Sequence, residues 1–162
     1  MFDRTALNHP WIKQVEATLF VQLLPRRAND DELLEMVEAV ERLVFSLRAP
    51  YAWIVNLGGV LTAPASQRRI FSDHEDRTKE HDAQFNAGAA LLSRSPITAG
   101  IITAVFWVSR PSYPTKVFSE IHEAERWARA QLKARGVEIG SEPTLSMQQL
   151  ILGDSGRPRP RQ

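Results

Sequence analysis

The chain has 162 residues, 43% hydrophobic and 24% charged, which is ordinary for one globular domain. Its 20 Lys and Arg nearly balance 19 Asp and Glu, and a net charge of +1 argues against nucleic-acid binding, which usually needs a basic face. The sequence has no cysteine, which excludes disulfides, thiolate zinc sites and cysteine nucleophiles. Without a signal-peptide pattern or an apolar run of roughly 20 residues, we expect a cytoplasmic protein with no transmembrane segment.

The first half of the sequence predicts strand, helix and strand. Residues 12–24 alternate or run apolar, which predicts one strand or a hairpin. Asn29 or Asp30 then caps a helix with an acidic outer face. An apolar strand over residues 51–57 follows. The apolar positions of the helix recur at helical spacing and are Leu33, Met36, Val37, Val40, Leu43, Val44 and Leu47.

The second half continues the alternation. Residues 65–85 are charged and predict a largely exposed helix, and the small apolar residues 86–92 predict an interior strand. Residues 97–108 form a helix that is apolar on nearly every side. A short strand over residues 116–118 precedes a last helix, which Ser119 caps and which runs to about residue 135.

This order predicts a single α/β domain over residues 1–136, with four or five largely parallel strands and about four helices. We expect a buried core that includes Leu33, Met36, Val40, Leu43, Ile54, Val55 and Leu91. Residues 137–162 change to a composition rich in glycine, proline and arginine, which predicts a partly disordered tail. Its apolar stretch, residues 145–152, can dock on another surface.

A candidate binding site follows the strand at residues 51–57. Gly58 leads into a loop and then into a helix N-terminus, where free backbone N–H groups can receive an anion or the acidic group of a partner. A phosphate on Ser66 would lie beside Arg68 and Arg69. The alternative is that Ser66 only caps the helix or lies in its first turn.

The sequence offers no stronger chemical motif. His74 and His81 share a helix face, but their spacing of seven does not match the i, i+4 pairs of metal sites, and a solvated charged helix explains them. There is no Gly-x-Ser-x-Gly nucleophile turn and no glycine-rich phosphate loop with lysine. We therefore expect no metal, no cofactor and no catalytic residue.

The order of elements, the strand-loop-helix at residues 54–69 and the run Val117-Phe-Ser-Glu-Ile-His-Glu-Ala-Glu-Arg-Trp127 resemble the STAS/SpoIIAA-like family, in particular its bacterial STAS/SEC14-like branch. The resemblance covers roughly residues 12–136 and involves core and capping positions more than chemistry. It implies a four- or five-stranded sheet with helices, and a non-enzymatic role in regulation or protein contact. CRAL-TRIO-like relatives hold lipids, which makes a small apolar-ligand or lipid-binding protein the alternative.

In the anti-sigma-factor antagonists of this family, a partner kinase phosphorylates a serine in an Asp-Ser-Ser-Gly-like turn after the central strand. Ser66 falls near that position, but Pro64 replaces the aspartate and Gln67 replaces the glycine. The resemblance makes Ser66 a candidate phosphorylation site. It also implies a partner-binding surface formed by Thr62, Ser66, Arg68 and Arg69.

The apolar helix at residues 97–108 needs a cover for its outer side, because its polar stripe is too narrow. We expect Ile101, Val105 and Trp107 to form an apolar interface. A homodimer or docking of the tail is favoured over a protein partner or a membrane surface. An apolar cavity of several hundred Å³ would favour ligand binding, and a filled core with an exposed patch would favour protein interaction.

Overall fold

The computed structural model describes residues 2–58, 60, 63–108 and 110–150, apart from the side chains of residues 106–108 and 147. Five strands and four helices alternate after an initial hairpin, which confirms the predicted α/β class. A short 3-10 helix at Thr5–Asn8 precedes them, and another at Met147–Leu150 follows. In chain order the main elements are β1 Ile12–Glu16, β2 Leu19–Leu23, α1 Asp30–Ser46, β3 Tyr51–Asn56, α2 Ala65–Phe85, β4 Asn86–Leu92, α3 Pro96–Val108, β5 Thr115–Phe118 and α4 Ile121–Ala134.

The strands lie in the sheet in their chain order, β1 to β5. β1 pairs with β2 antiparallel, and the other neighbours pair in parallel. With right-handed crossovers, this sequential order places α1, α2 and α3 on one face of the sheet. The opposite face packs against α4, whose Ala124 and Ala128 share a buried cluster with Ala52 and Ile54 of β3.

The N-terminal apolar run forms a hairpin, one of the two arrangements that its pattern predicts. Ala17 adopts a positive φ of 48° in the turn, and the strand register shifts between Gln14 and Glu16. The alternation therefore breaks at the turn and does not run continuously from Val15 to Leu23.

Helix α1 begins with a complete capping box. The Asn29 side chain accepts a hydrogen bond from the Glu32 N–H at 2.8 Å, and the Glu32 carboxylate accepts one from the Asn29 N–H at 3.0 Å. Asn29, not Asp30, is thus the cap. The predicted core residues are buried, except for Val55, which is half-buried and lines a cavity.

Helix α4 begins differently from the sequence prediction. Its N-cap is Glu120, which makes no side-chain capping bond, so the assignment of Ser119 as the cap is wrong. Its end matches the prediction: Gly136 has a φ of +83° and its N–H donates to the carbonyl of Lys133 at 3.0 Å.

The chain after Gly136 continues along the α4 side of the sheet. Ile139, Leu145 and Leu150 belong to the buried cluster that α4 forms with β2 and β3. The N–H group of Leu145 donates to the Glu125 carboxylate at 2.9 Å. None of the α3 side chains that the structure describes belongs to that cluster, so residues 145–150 do not cover this part of α3. The rest of the predicted tail, residues 151–162, lies outside the described residues.

Candidate functional site

A cavity of about 160 Å³ lies between the sheet and the three helices on one of its faces. β3 and β4 supply its floor, α3 closes it from above, and α1 and α2 complete the walls. Its lining is mainly apolar and includes Val40, Val44, Trp53, Val55, Phe71, Leu91, Ile101, Ile102 and Val105.

Short side chains in β4 leave room for this cavity. The strand reads Asn-Ala-Gly-Ala-Ala-Leu-Leu, and Ala89 faces the space in which a longer side chain would pack against α3. The small apolar residues that predict an interior strand thus also produce the free volume. A close-packed interior normally leaves few voids larger than a water molecule, so a space of this size is a distinct feature.

The cavity runs along β3 from the carboxyl ends of the parallel strands to their amino ends. At the carboxyl ends of the strands it is bordered by Val60, Ala63 and the exposed Arg26, where ligands commonly enter parallel α/β sheets. At the amino ends it reaches Asn86 and Tyr113. Since strands rise roughly 3.3 Å per residue, the two ends of β3 lie about 17 Å apart.

The cavity end at the amino ends of the strands, which we call the inner end, is polar. Glu75 and Tyr113 form one hydrogen-bonded pair there. The Tyr113 hydroxyl donates a hydrogen bond to Glu75 Oε1 at 2.8 Å. Burial raises the pKa of the Glu75 carboxyl, and the neighbouring Asp82 and Asp76 raise it further, against the opposing influence of His74 and Tyr113. Burial also raises the pKa of Tyr113, which keeps its phenol protonated and able to donate.

Tyr51, Asp82 and Asn86 form the second polar group at this end. The Tyr51 hydroxyl donates a short hydrogen bond to Asp82 Oδ1, and the Asn86 amide donates to the same oxygen at 3.3 Å. The Asn86 side-chain oxygen accepts from the N–H of Gly88 at 3.0 Å, which fixes the amide orientation. Burial, followed by the charge of Asp82, raises the pKa of Tyr51.

A third group ties α1 to α2 beside the cavity. His74 Nδ1 lies 3.0 Å from Glu41 Oε1, and Arg77 reaches the same oxygen at 2.8 Å. Burial acts to raise the pKa of Glu41, but the hydrogen bonds from His74 and Arg77 outweigh it and lower that pKa. Within the described residues, no group of three or more His, Cys, Asp or Glu side chains could hold a metal ion.

Side chains of the predicted partner-binding turn make contacts with other residues of the chain. Ser66 is exposed in the first turn of α2, and its hydroxyl lies 3.3 Å from Asp30 Oδ1. The Arg68 guanidinium donates to the Ala63 carbonyl at 2.6 Å, and Arg69 lies 3.9 Å from Asp73. Thr62 lies outside the described residues. Partner binding and phosphorylation at this turn stay predictions.

The predicted apolar interface on α3 lies partly inside the molecule. Ile101 and Val105 are half-buried and line the cavity, while the side chain of Trp107 lies outside the described residues. The described outer positions of α3 are mostly small or polar, with Gly100 and Thr103 exposed. Ile97 differs, because 70% of its surface is exposed near the cavity mouth.

Sequence reasoning missed the polar end of the cavity. It treated α2 as a solvated charged helix, although Glu75 and Asp82 are seven residues apart and therefore share a face. The chain has only two tyrosines, and each donates to one of these carboxylates. Because Tyr51 and Tyr113 lie far from α2 in sequence, spacing alone does not reveal these pairs.

No family model matches the chain, and no curated protein matches it. Within the described part of the chain, no helix has the length and apolar character needed to cross a membrane.

Proposed function

We propose that this chain is a non-enzymatic binding module of the STAS/SpoIIAA-like type, whose cavity holds a small, mainly apolar ligand. The cavity of about 160 Å³ beneath α3 carries this proposal. Its apolar lining would remove a ligand's surface from water, at roughly 25 cal/mol for each Å² buried. The STAS/SEC14-like resemblance agrees with such a role, since relatives of that branch hold lipids.

The size of the cavity sets the kind of ligand. It is below the several hundred Å³ that we expect for a lipid carrier, and it is close to an engineered apolar cavity of about 150 Å³ that binds benzene. A ligand body of about one aromatic ring or a short alkyl chain therefore suits it better than a phospholipid. The raised pKa values of the two tyrosines at the inner end keep their phenols protonated near neutral pH, so they serve there as hydrogen-bond donors.

The direct test is binding of toluene, detected as an increase in melting temperature and as chemical-shift changes in protein NMR spectra. Ala89→Leu fills the cavity from the floor, and Val105→Phe fills it from α3. Ala104→Leu is the matched control because Ala104 is exposed on the same helix. We expect toluene to stabilise wild type and the control by mass action, but neither filled variant. Absence of toluene binding to wild type, or unchanged binding by both filled variants, would refute the proposal.

A protein-interaction role is the second candidate, and the exposure of Ile97 favours it. The Thr98 hydroxyl donates to the carbonyl of Val60 at 3.1 Å, which holds the start of α3 beside the cavity mouth. We propose that Ile97 and the turn at residues 64–69 form a surface for a second copy of the chain or a protein partner. Sedimentation of wild type and Ile97→Lys tests the homodimer, with Val117→Lys as a control at another exposed apolar residue. A monomeric wild type would eliminate the homodimer and leave a different protein as the partner.

A further inference from the structure

We infer, on the basis of the proposed function, that the buried end of the ligand is a protonated amine held between Glu75 and Asp82. The apolar body would lie beneath α3, and the amine would point toward the amino ends of β3 and β4. The inference depends on three observations: the hydrogen-bonding capacity left at the inner end, the placement of charge along the cavity, and the apolar walls between.

With both carboxyl groups ionised, the hydrogen-bonding capacity left at the inner end is that of an acceptor. The hydroxyl hydrogens of Tyr51 and Tyr113 are already donated to the two carboxylates, and the Asn86 amide also donates to Asp82. Each carboxylate has two oxygens and about four lone-pair sites. Among the described residues, none donates a hydrogen bond to Glu75 Oε2 or to Asp82 Oδ2. A ligand group with several N–H donors matches this arrangement.

The charges along the cavity also favour a cation at the inner end. Glu75 and Asp82 both border that end. Of the described basic side chains in the lining, Arg26 lies at the carboxyl ends of the strands, and His74 Nδ1 lies 3.0 Å from Glu41 Oε1. A carboxylate or phosphate on the ligand would face two acidic groups without a paired cation. The same groups would attract an ammonium, whose hydrogen bonds to a carboxylate are charge-assisted.

The cavity walls between the inner end and the mouth determine the chemistry of the ligand body that extends from the amine. Trp53, Phe71 and Ile102 border this region and provide apolar contact area. A fully polar amine would make no apolar contacts with these walls. A purely apolar compound would offer no hydrogen-bond donors to the carboxylate oxygens. An arylalkyl or alkyl amine satisfies both parts of the cavity.

Three compounds with the same aromatic body test the inference: toluene, benzylamine and benzoate. Affinity is measured by NMR titration at pH 7 for wild type, Glu75→Gln, Asp82→Asn and the control Glu80→Gln. Glu80 is an exposed carboxylate on the same helix. We expect wild type and Glu80→Gln to bind benzylamine about tenfold more tightly than toluene, and benzoate most weakly. We expect the preference for benzylamine to fall severalfold in Glu75→Gln and Asp82→Asn.

The outcomes separate this inference from the proposed function. If none of the three compounds binds wild type in the cavity, the proposed function itself fails. If toluene binds but benzylamine binds no better, or benzoate binds as well, only the amine inference is overturned. A preference for benzylamine that both Glu75→Gln and Asp82→Asn retain would also overturn it, because the amine would then lie elsewhere. Each variant is first checked for folding by its NMR spectrum.

Discussion

Arg129 and Glu125 form an ion pair inside the protein, with 2.9 Å between Arg129 Nη2 and Glu125 Oε1. The two residues are four positions apart on α4, and their side chains are 1% and 0% exposed. Arg129 also contacts Glu16 of β1 and donates to the carbonyl of Gly140 at 2.8 Å. The pair therefore connects α4 with the edge of the sheet and with the segment that follows Gly136.

Breaking this pair should destabilise the fold. In Glu125→Gln the Arg129 guanidinium stays buried but loses its charged partner on α4. Removing one member of a buried ion pair typically costs about 3–5 kcal/mol, and we expect a loss in unfolding free energy on the order of 3 kcal/mol. Urea denaturation of both proteins measures it. Glu123→Gln, at an exposed position of the same helix, should change stability by no more than about 0.5 kcal/mol.

Removal of residues 137–150 should expose the Arg129–Glu125 ion pair to solvent. We compare a 1–136 chain with a 1–150 chain, so that both lack the same final residues. The shorter chain loses the apolar contacts of Ile139, Leu145 and Leu150 and the N–H groups that Thr144 and Leu145 donate to Glu125. We expect it to unfold at a lower urea concentration, because the Glu125 carboxylate is left with fewer donors. Equal midpoints would show that this segment does not stabilise the domain.

The sequence predicts the secondary-structure elements of this protein better than it predicts the cavity. Helical periodicity in α1 and the apolar run of β4 are local patterns, and both elements lie where those patterns place them. The cavity depends instead on contacts between distant parts of the chain, such as Tyr113 with Glu75 and Tyr51 with Asp82. Single-sequence reasoning ranks charged helix residues as solvated, and it has no local signal that distinguishes a buried carboxylate.

The conformation of β4 should depend on Gly88, which faces the Trp127 ring. A Cβ at Gly88 would lie 2.9 Å from Trp127 Cη2 and 3.2 Å from the carbonyl oxygen of Pro114. Gly88→Ala should therefore cost about 1–3 kcal/mol of stability through overpacking. In a Trp127→Phe background the contacting ring atoms are absent, so the cost of Gly88→Ala should fall by about 1 kcal/mol.

Urea denaturation of wild type, Gly88→Ala, Trp127→Phe and the double variant completes this double-mutant cycle. Gly100→Ala serves as the control, because a Cβ there meets nothing within 4 Å. It should stabilise the helix or leave it unchanged, since alanine restricts the unfolded chain more than glycine does. An undiminished cost of Gly88→Ala in the Trp127→Phe background would assign the strain to Pro114 alone.

The contribution of Glu75 to the stability of the protein should fall with rising pH. Burial raises the pKa of this carboxyl in the folded state, so the folded protein keeps the proton at pH values where the unfolded chain has released it. The groups that face Glu75 are His74, Asp76 and Asp82 of α2, together with Tyr113. Stability from the protonated carboxyl is complete below the pKa of the unfolded chain and is lost as pH rises through the higher folded pKa.

Glu75→Gln removes this titration and keeps an oxygen that can accept from Tyr113. Below about pH 4 wild type and Glu75→Gln should be similarly stable, since both side chains are neutral there. As pH rises toward about 8, wild type should lose stability relative to Glu75→Gln. Urea denaturation across this range measures the difference, and the titrations of groups common to both proteins cancel. A constant difference between wild type and Glu75→Gln across the pH range would mean that Glu75 ionises equally easily in the folded and unfolded chains.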